Sequence, residues 1–264
     1  MHLTALTLLI GALATASAHM QLLYPPPFNA SNNPHLNGGT PDSELVYPQG
    51  CCAKNNTAIC RGYLSLLGTP AGAPVATWTA GQNIIWNITG DTSITGFEGG
   101  GTHYGGSCQV GFSVDKGESF QVAASYEGNC PHRNAPSDGS SGQNFEMQVP
   151  EELPEGEAVF AWSWINREQE FFMDCAAVTI VGKDGDAGSS SSSTVAAPSY
   201  TQAPTPSASE MPATSAASRP KMLIPDPIFH DPKLPKTTAE VKFPDPGPVV
   251  VEGDGAYPLE LPST

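Results

Sequence analysis

The feature that most limits the fold is an abrupt change of composition near Gly182. All six cysteines and all four tryptophans (Trp78, Trp86, Trp162 and Trp164) precede it. Beyond it come Gly185, Gly188, a serine run over 189–193, and Pro198, Pro204, Pro206 and Pro212 among Ser, Thr and Ala. A packed core needs large apolar side chains, so these residues confine it to the first two thirds of the chain. Further on, Ile224-Pro225-Asp226-Pro227-Ile228-Phe229 and Lys242-Phe243-Pro244-Asp245-Pro246 set proline between apolar residues. Proline blocks helix and removes ladder donors. The whole of 183–264 is therefore expected to be a disordered Ser/Pro-rich linker and tail, dispensable for any chemistry upstream.

The other end of the chain sets the compartment. Residues 1–18 read as a signal peptide: the mostly apolar stretch 6–13 is too short to span a bilayer, and Ala16-Ser17-Ala18 is an A-x-A cleavage site. The expected protein is secreted and extracellular, begins at His19, and is free to form disulfides. Secretion also makes the sequons at Asn29, Asn55 and Asn87 usable for glycosylation. Eleven Lys and Arg against 26 Asp and Glu leave a formal charge of −15. Nucleic acid and anionic membranes are thereby excluded as partners held by long-range charge.

Residues 19–182 read as β. Short β-branched and aromatic runs fall at 75–79, 83–88, 109–114, 119–126, 144–149, 157–165 and 176–181, punctuated by turn signals such as Gly81 and Asp115-Lys116-Gly117. No 3.6-residue stripe competes with them. The pattern predicts an all-β two-sheet sandwich. Run 119–126 alternates and is expected to be half-buried. The loop-rich 19–70 segment is expected to wrap one end, tied by disulfides.

Six cysteines allow fifteen pairings. Cys108 and Cys130 flank two adjacent strands, which makes a hairpin-closing bridge reasonable. Cys175 then pairs back to Cys51, Cys52 or Cys60. A bond between the neighbours Cys51 and Cys52 is disfavoured by the closeness of their Cα atoms. No clustered Cys-x-x-Cys spacing supports zinc.

Any chemistry starts at His19. A chain beginning with histidine offers its amino group and Nδ1 to one metal as a chelate, and nitrogen ligands in tetragonal array favour Cu(II). One further imidazole completes three nitrogens. His35, His103 and His132 are the candidates. His103 stands out because Gly99-Gly100-Gly101 precede Thr102 and Gly105-Gly106 follow Tyr104, leaving the ring on an unobstructed loop.

Together, His19-Met20, Thr102-His103-Tyr104-Gly105-Gly106-Ser107-Cys108-Gln109, Gly128-Asn129-Cys130-Pro131, Phe160-Ala161-Trp162-Ser163-Trp164-Ile165-Asn166 and Glu170-Phe171-Phe172-Met173-Asp174-Cys175-Ala176 resemble the lytic polysaccharide monooxygenases. Fungal chitin-active auxiliary activity family 11 is the nearest variety. The matching stretches run through most of 19–182 and none of the tail. The resemblance implies an immunoglobulin-like (fibronectin III-like) sandwich carrying one copper in a histidine brace. In that brace His19 gives its amine and ring, and His103 gives the third nitrogen. It places Phe172 on the axial side, where the family usually has Tyr, and Glu170 where a Gln or Glu orients the oxygen species. Tyr104 and Tyr24 are candidates to flank the metal. The implied activity is copper-dependent oxidative cleavage of a polysaccharide, chitin or another β-linked glycan, by a monomer fed by an electron donor. Rival readings are a copper-binding wall protein that keeps the brace without catalysis, a glycoside hydrolase (for which no carboxylate pair stands out), and a structural adhesion module.

Overall fold

The computed structural model describes residues 19–36, 38–51, 57–133, 143–183, 219–225 and 238–262. The predicted signal peptide, Asn55, Cys52 and most of the linker lie outside these residues. So does the expectation about a Cys51–Cys52 bond.

Among the described residues eleven strands follow in chain order: β1 (Gln21–Tyr24), β2 (Ala76–Thr79), β3 (Asn83–Thr89), β4 (Ser107–Ser113), β5 (Gln121–Glu127), β6 (Asn144–Gln148), β7 (Gly156–Ile165), β8 (Phe171–Val181), β9 (Glu240–Val241), β10 (Val250–Glu252) and β11 (Leu259–Glu260). A three-stranded sheet, β1-β3-β6, faces a six-stranded one ordered β10-β5-β4-β7-β8-β2, and β11-β9 form a small pair. This is the expected all-β, immunoglobulin-like sandwich. The Gly81 turn does not make a hairpin: β2 runs parallel to β8 in the large sheet while β3 pairs with β1 and β6 in the other. The turn therefore carries the chain from one layer to the next. β1 was not legible as a strand, being four residues long and stopped by Pro25-Pro26-Pro27.

Period-two alternation builds two cores from one sheet. On β7, Ala158, Phe160, Trp162 and Trp164 enter the core between the sheets, with Leu22, Trp86, Ile88, Val110, Phe112 and Phe172. Val159, Ala161 and Ile165 point the other way, into a second core with Phe28, Phe120, Val122, Phe171, Met173 and Cys175. Disulfides tie the loops down as expected. Cys108–Cys130 closes the β4–β5 hairpin, and Cys60–Cys175 fastens the 3-10 segment Ile59–Leu66 to β8. Cys51 is disulfide-bonded as well.

Two expectations need correction together. β5 is almost wholly buried rather than half-buried, and segments 219–225 and 238–262 of the predicted disordered tail are packed against the sandwich. Met222, Val241 and Phe243 complete the second core, each such burial contributing roughly 1.5–3 kcal/mol. Gly111 on β4 lacks the Cβ that would press to 2.7 Å from Met222 Sδ. Proline is a weaker barrier to packing than its spacing suggests. It has no N–H, but its carbonyl accepts normally. Val122 N donates to Pro220 O (2.9 Å), Glu240 N to Pro258 O (2.9 Å) and Ser125 Oγ to Pro246 O (2.8 Å). Between prolines, three residues suffice for β10 to pair in parallel with β5. The remaining tail lies outside the described residues. Among the described residues, no helix is long and apolar enough to cross a membrane.

Candidate metal centre

The centre gathers where β1 begins, where the loop before β4 turns, and where β7 turns into β8. His19 stands one residue, Met20, before β1, whose pairing with β3 (Gln21 opposite Thr89) fixes where the ring emerges. The imidazole stacks on Phe97 at 4.3 Å between centroids and meets Tyr47 edge-on at 4.6 Å. Gly90 and Gly100 allow this approach. A Cβ on Gly90 would stand 2.8 Å from the His19 carbonyl oxygen, and one on Gly100 would stand 2.1 Å from Gly90 O.

His103 occupies a conformation that the flanking glycines hinted at. His103, Tyr104, Gly105 and Gly106 all have positive φ (46°, 62°, 93° and 125°), a region that non-glycine residues enter only at a cost. The ring is buried, whereas Tyr104 is 48% exposed. His103 Nε2 lies 2.8 Å from a carboxylate oxygen of Glu168, without the alignment of a hydrogen bond. Both ring nitrogens of His103, like both of His19, are buried without a hydrogen-bond partner. Burial holds the His19 imidazole below its ordinary pKa, and the neighbouring His103 lowers it further. Buried imidazole nitrogens that make no hydrogen bond, on two neighbouring rings of which His19 is held below its ordinary pKa, are a donor set suited to a metal.

The β7–β8 turn supplies carboxylates. Asn166, itself buried, organises it: its Oδ1 accepts from Glu168 N and Glu170 N, both at 2.9 Å, and its Nδ2 donates to Glu170 Oε2 at 2.6 Å. Burial raises the Glu170 pKa; the Asn166 bond and His103 oppose this, and Glu168 reinforces it. Ligand atoms of His103, Glu168 and Glu170 lie within 4.8 Å of one another, so these three residues could hold a metal ion.

The structure thus brings His103 and Glu170 together and sets His19 within electrostatic reach. Phe172 is fully buried and stacks on Trp164 at 4.4 Å. Trp164 Nε1 donates to Gly105 O at 3.1 Å, so Phe172 underlies the His103 loop through that indole. Phe171 faces the second core, as alternation requires. His35 and His132 are elsewhere: His35 Nε2 is 3.2 Å from Pro74 O, and His132 stacks on Phe145 at 4.5 Å. Tyr24 packs on Trp78 at the far end of β1 from His19, because the strand lies between them; it does not flank the centre. Of the sequons, Asn29 Nδ2 donates to Tyr63 Oη at 3.2 Å and Asn87 Nδ2 to Asn144 Oδ1 at 3.2 Å. Sequence reasoning missed Glu168, Phe97 and Tyr47. It also missed Tyr257 of the tail, which lies under the Arg167 guanidinium at 3.3 Å and lines a cavity of about 290 Å³ with Tyr104, Arg167 and Glu168. Only the Asn166-x-Glu168-x-Glu170 spacing in a hairpin turn offered a signal.

No family model matches the chain. It is 33% identical over 172 residues to AA11 family lytic polysaccharide monooxygenase A of Aspergillus fumigatus, a match covering 64% of this chain and 68% of that protein. A second A. fumigatus protein, AA11 family lytic polysaccharide monooxygenase B, is 33% identical over 171 residues; the match covers 60% of this chain but 36% of that one. The solved structure of T. fusca AA10A superposes with a TM-score of 0.35 at 12% identity, over 62% of this chain and 100% of that one. The first relative decides the matter: at one third identity across two thirds of that protein's length, the chain belongs to the lytic polysaccharide monooxygenases.

Proposed function

We propose that the chain is a secreted, copper-dependent enzyme of the AA11 type that cleaves a polysaccharide oxidatively, with chitin as the first substrate to test. The observation that carries this reading is the set of four buried ring nitrogens on His19 and His103 that make no hydrogen bond. Cleavage after Ala18 frees the amine of His19, and that amine, the His19 ring and the His103 ring are the residues' offer to one copper. Bound copper supplies the one-electron redox chemistry that activates oxygen or peroxide. The protein's own work is positional. Asn166 fixes the Glu170 carboxyl, and burial makes that carboxyl easier to protonate, which suits it to hold or release a proton beside the metal. Phe172 brings no oxygen to the metal. Tyr104, exposed beside His103, is placed to meet sugar.

The test uses the secreted protein beginning at His19. Copper loading is expected to give a three-nitrogen axial paramagnetic resonance signal. With reductant and peroxide, chitin is expected to yield oxidised oligosaccharides. A second reading, copper binding without catalysis, is favoured by one contact, the Glu168 carboxylate 2.8 Å from His103 Nε2. The same signal with no oxidised product selects it. Reducing ends released without any reductant would point to a hydrolase instead.

A further inference from the structure

We infer that the C-terminal segment 238–262 is a working part of the metal centre, with Glu240 as the positioning residue for the His103 loop. The inference rests on the reading of His103 as a ligand only in its copper-dependent part. Four consecutive residues, 103–106, are held at positive φ. Such backbone persists only where its surroundings over-determine it. Within the sandwich, Trp164 Nε1 holds Gly105 O at 3.1 Å and Cys130 N holds Gly106 O at 3.1 Å. Gly105 N also donates to Thr102 O at 2.8 Å, and further restraints come from the tail. Glu240 Oε1 accepts from Gly106 N at 2.9 Å and from Asn129 N at 3.1 Å. The same oxygen pairs with Arg133 Nη1, which donates in turn to Tyr104 O at 3.2 Å. Arg133 Nη2 pairs with Asp254, again from the tail.

This carboxylate is built in rather than draped on. The Glu240 side chain is 1% exposed and that of Arg133 is 8% exposed. A Cβ on Gly105 would stand 2.5 Å from Arg133 Nη1 and 2.7 Å from Glu240 Oε1, and one on Gly128 would stand 2.7 Å from Glu240 Oε2. Glycine at both positions therefore admits the carboxylate. The neighbouring residue is fastened too, with Ser107 Oγ donating to Val241 O at 2.6 Å. A segment serving only to cover the second core needs Val241 and Phe243, but not a buried acid on the backbone three residues after His103. Removing the carboxylate leaves the buried Gly106 N–H and the half-buried Asn129 N–H without their acceptor, and leaves the Arg133 guanidinium with only Asp254 and Tyr104 O. The loop then escapes its left-handed conformation, and His103 moves with it.

The experiment uses the whole secreted chain with Glu240→Ala, Glu240→Gln and Asp254→Asn, and Glu260→Ala as the control on exposed β11. In copper-free protein, hydrogen exchange at 103–106 is expected to rise roughly tenfold or more in Glu240→Ala, with β7 and β8 still protected. Glu240→Gln, which keeps one oxygen acceptor, and Asp254→Asn should each show a smaller rise. Cu(II) affinity is expected to fall about 10–100-fold in Glu240→Ala, the range for residues that orient ligands, with an altered resonance spectrum. If Glu240→Ala does not fold, Glu240→Gln and Asp254→Asn decide. Unchanged exchange at 103–106 in folded variants overturns the inference, as does loss of protection spread evenly through β7 and β8. A wild-type chain that binds no copper refutes the proposed function, yet the exchange result still tests the restraint.

Discussion

Replacing Phe172 by Tyr adds one oxygen at the position that separates a core ring from a metal-facing one. Phe172 is fully buried and stacked on Trp164, so the new hydroxyl enters a space packed with carbon. Left without a partner, it costs about 1–3 kcal/mol, or roughly 2–12 °C in Tm for a domain of this size. A copper within reach of the hydroxyl takes it as a ligand. The copper-loaded variant should then recover most of the lost stability, and its resonance spectrum should shift. Phe171→Tyr is the matched control, since Phe171 is 3% exposed but lies in the other core with Phe28 and Ile165. It should be destabilised equally with and without copper and leave the spectrum alone. Thermal melting of both variants with and without Cu(II), alongside resonance spectra, makes the comparison. Equal destabilisation of Phe172→Tyr in the two conditions, with an unaltered spectrum, would refute an axial role. A response at 171 instead would mean that the two faces are inverted.

Three further outcomes are expected. Denaturant unfolding without reductant should show a larger loss for removing Cys60–Cys175 than for Cys108–Cys130, about 4–5 against about 3–4 kcal/mol by loop closure, since they close separations of 115 and 22 residues. Burial raises the pKa of Asp174 to about 7, despite Arg61 and the Leu22 N–H. The folded state therefore holds a proton that the unfolded chain has released, and stability should fall as pH rises from about 4 to 7; the slope should flatten in Asp174→Asn, as urea titrations across that range would show. In calorimetry, His103→Ala should weaken Cu(II) binding by at least about tenfold, whereas His35→Ala and His132→Ala should not, because both rings are engaged elsewhere.

Much of the sandwich was legible because β7 states its own geometry. Ala158, Phe160, Trp162 and Trp164 share one face, and no helical period explains that spacing. His103 was legible through its glycines, which the backbone needs for the turns at Gly105 and Gly106. The tail was not, because it contributes isolated side chains (Met222, Val241 and Phe243) and carbonyl oxygens rather than a periodic face. Glu240 was hidden more deeply. Nothing in sequence marks one of 26 acidic residues as the one buried against the His103 loop. Glu168 reaches His103 only because Asn166 folds the turn around its own amide, a contact that exists only once β7 and β8 have paired.

The short strand β10 also changes how the molecule meets its own copies. Without it, β5 would be the open edge of the large sheet, seven residues of unsatisfied donors and acceptors able to template an intermolecular strand. Val249 O takes Ser125 N and Gly253 N donates to Glu127 O, so that edge is already occupied from within the chain. The replacement edge is three residues long, bracketed by Pro248 on one side and Gly253-Asp254-Gly255 on the other. A prolyl and acidic boundary of that kind offers a neighbouring sheet little to continue. On a chain of net charge −15 it adds to the repulsion that keeps concentrated protein dispersed.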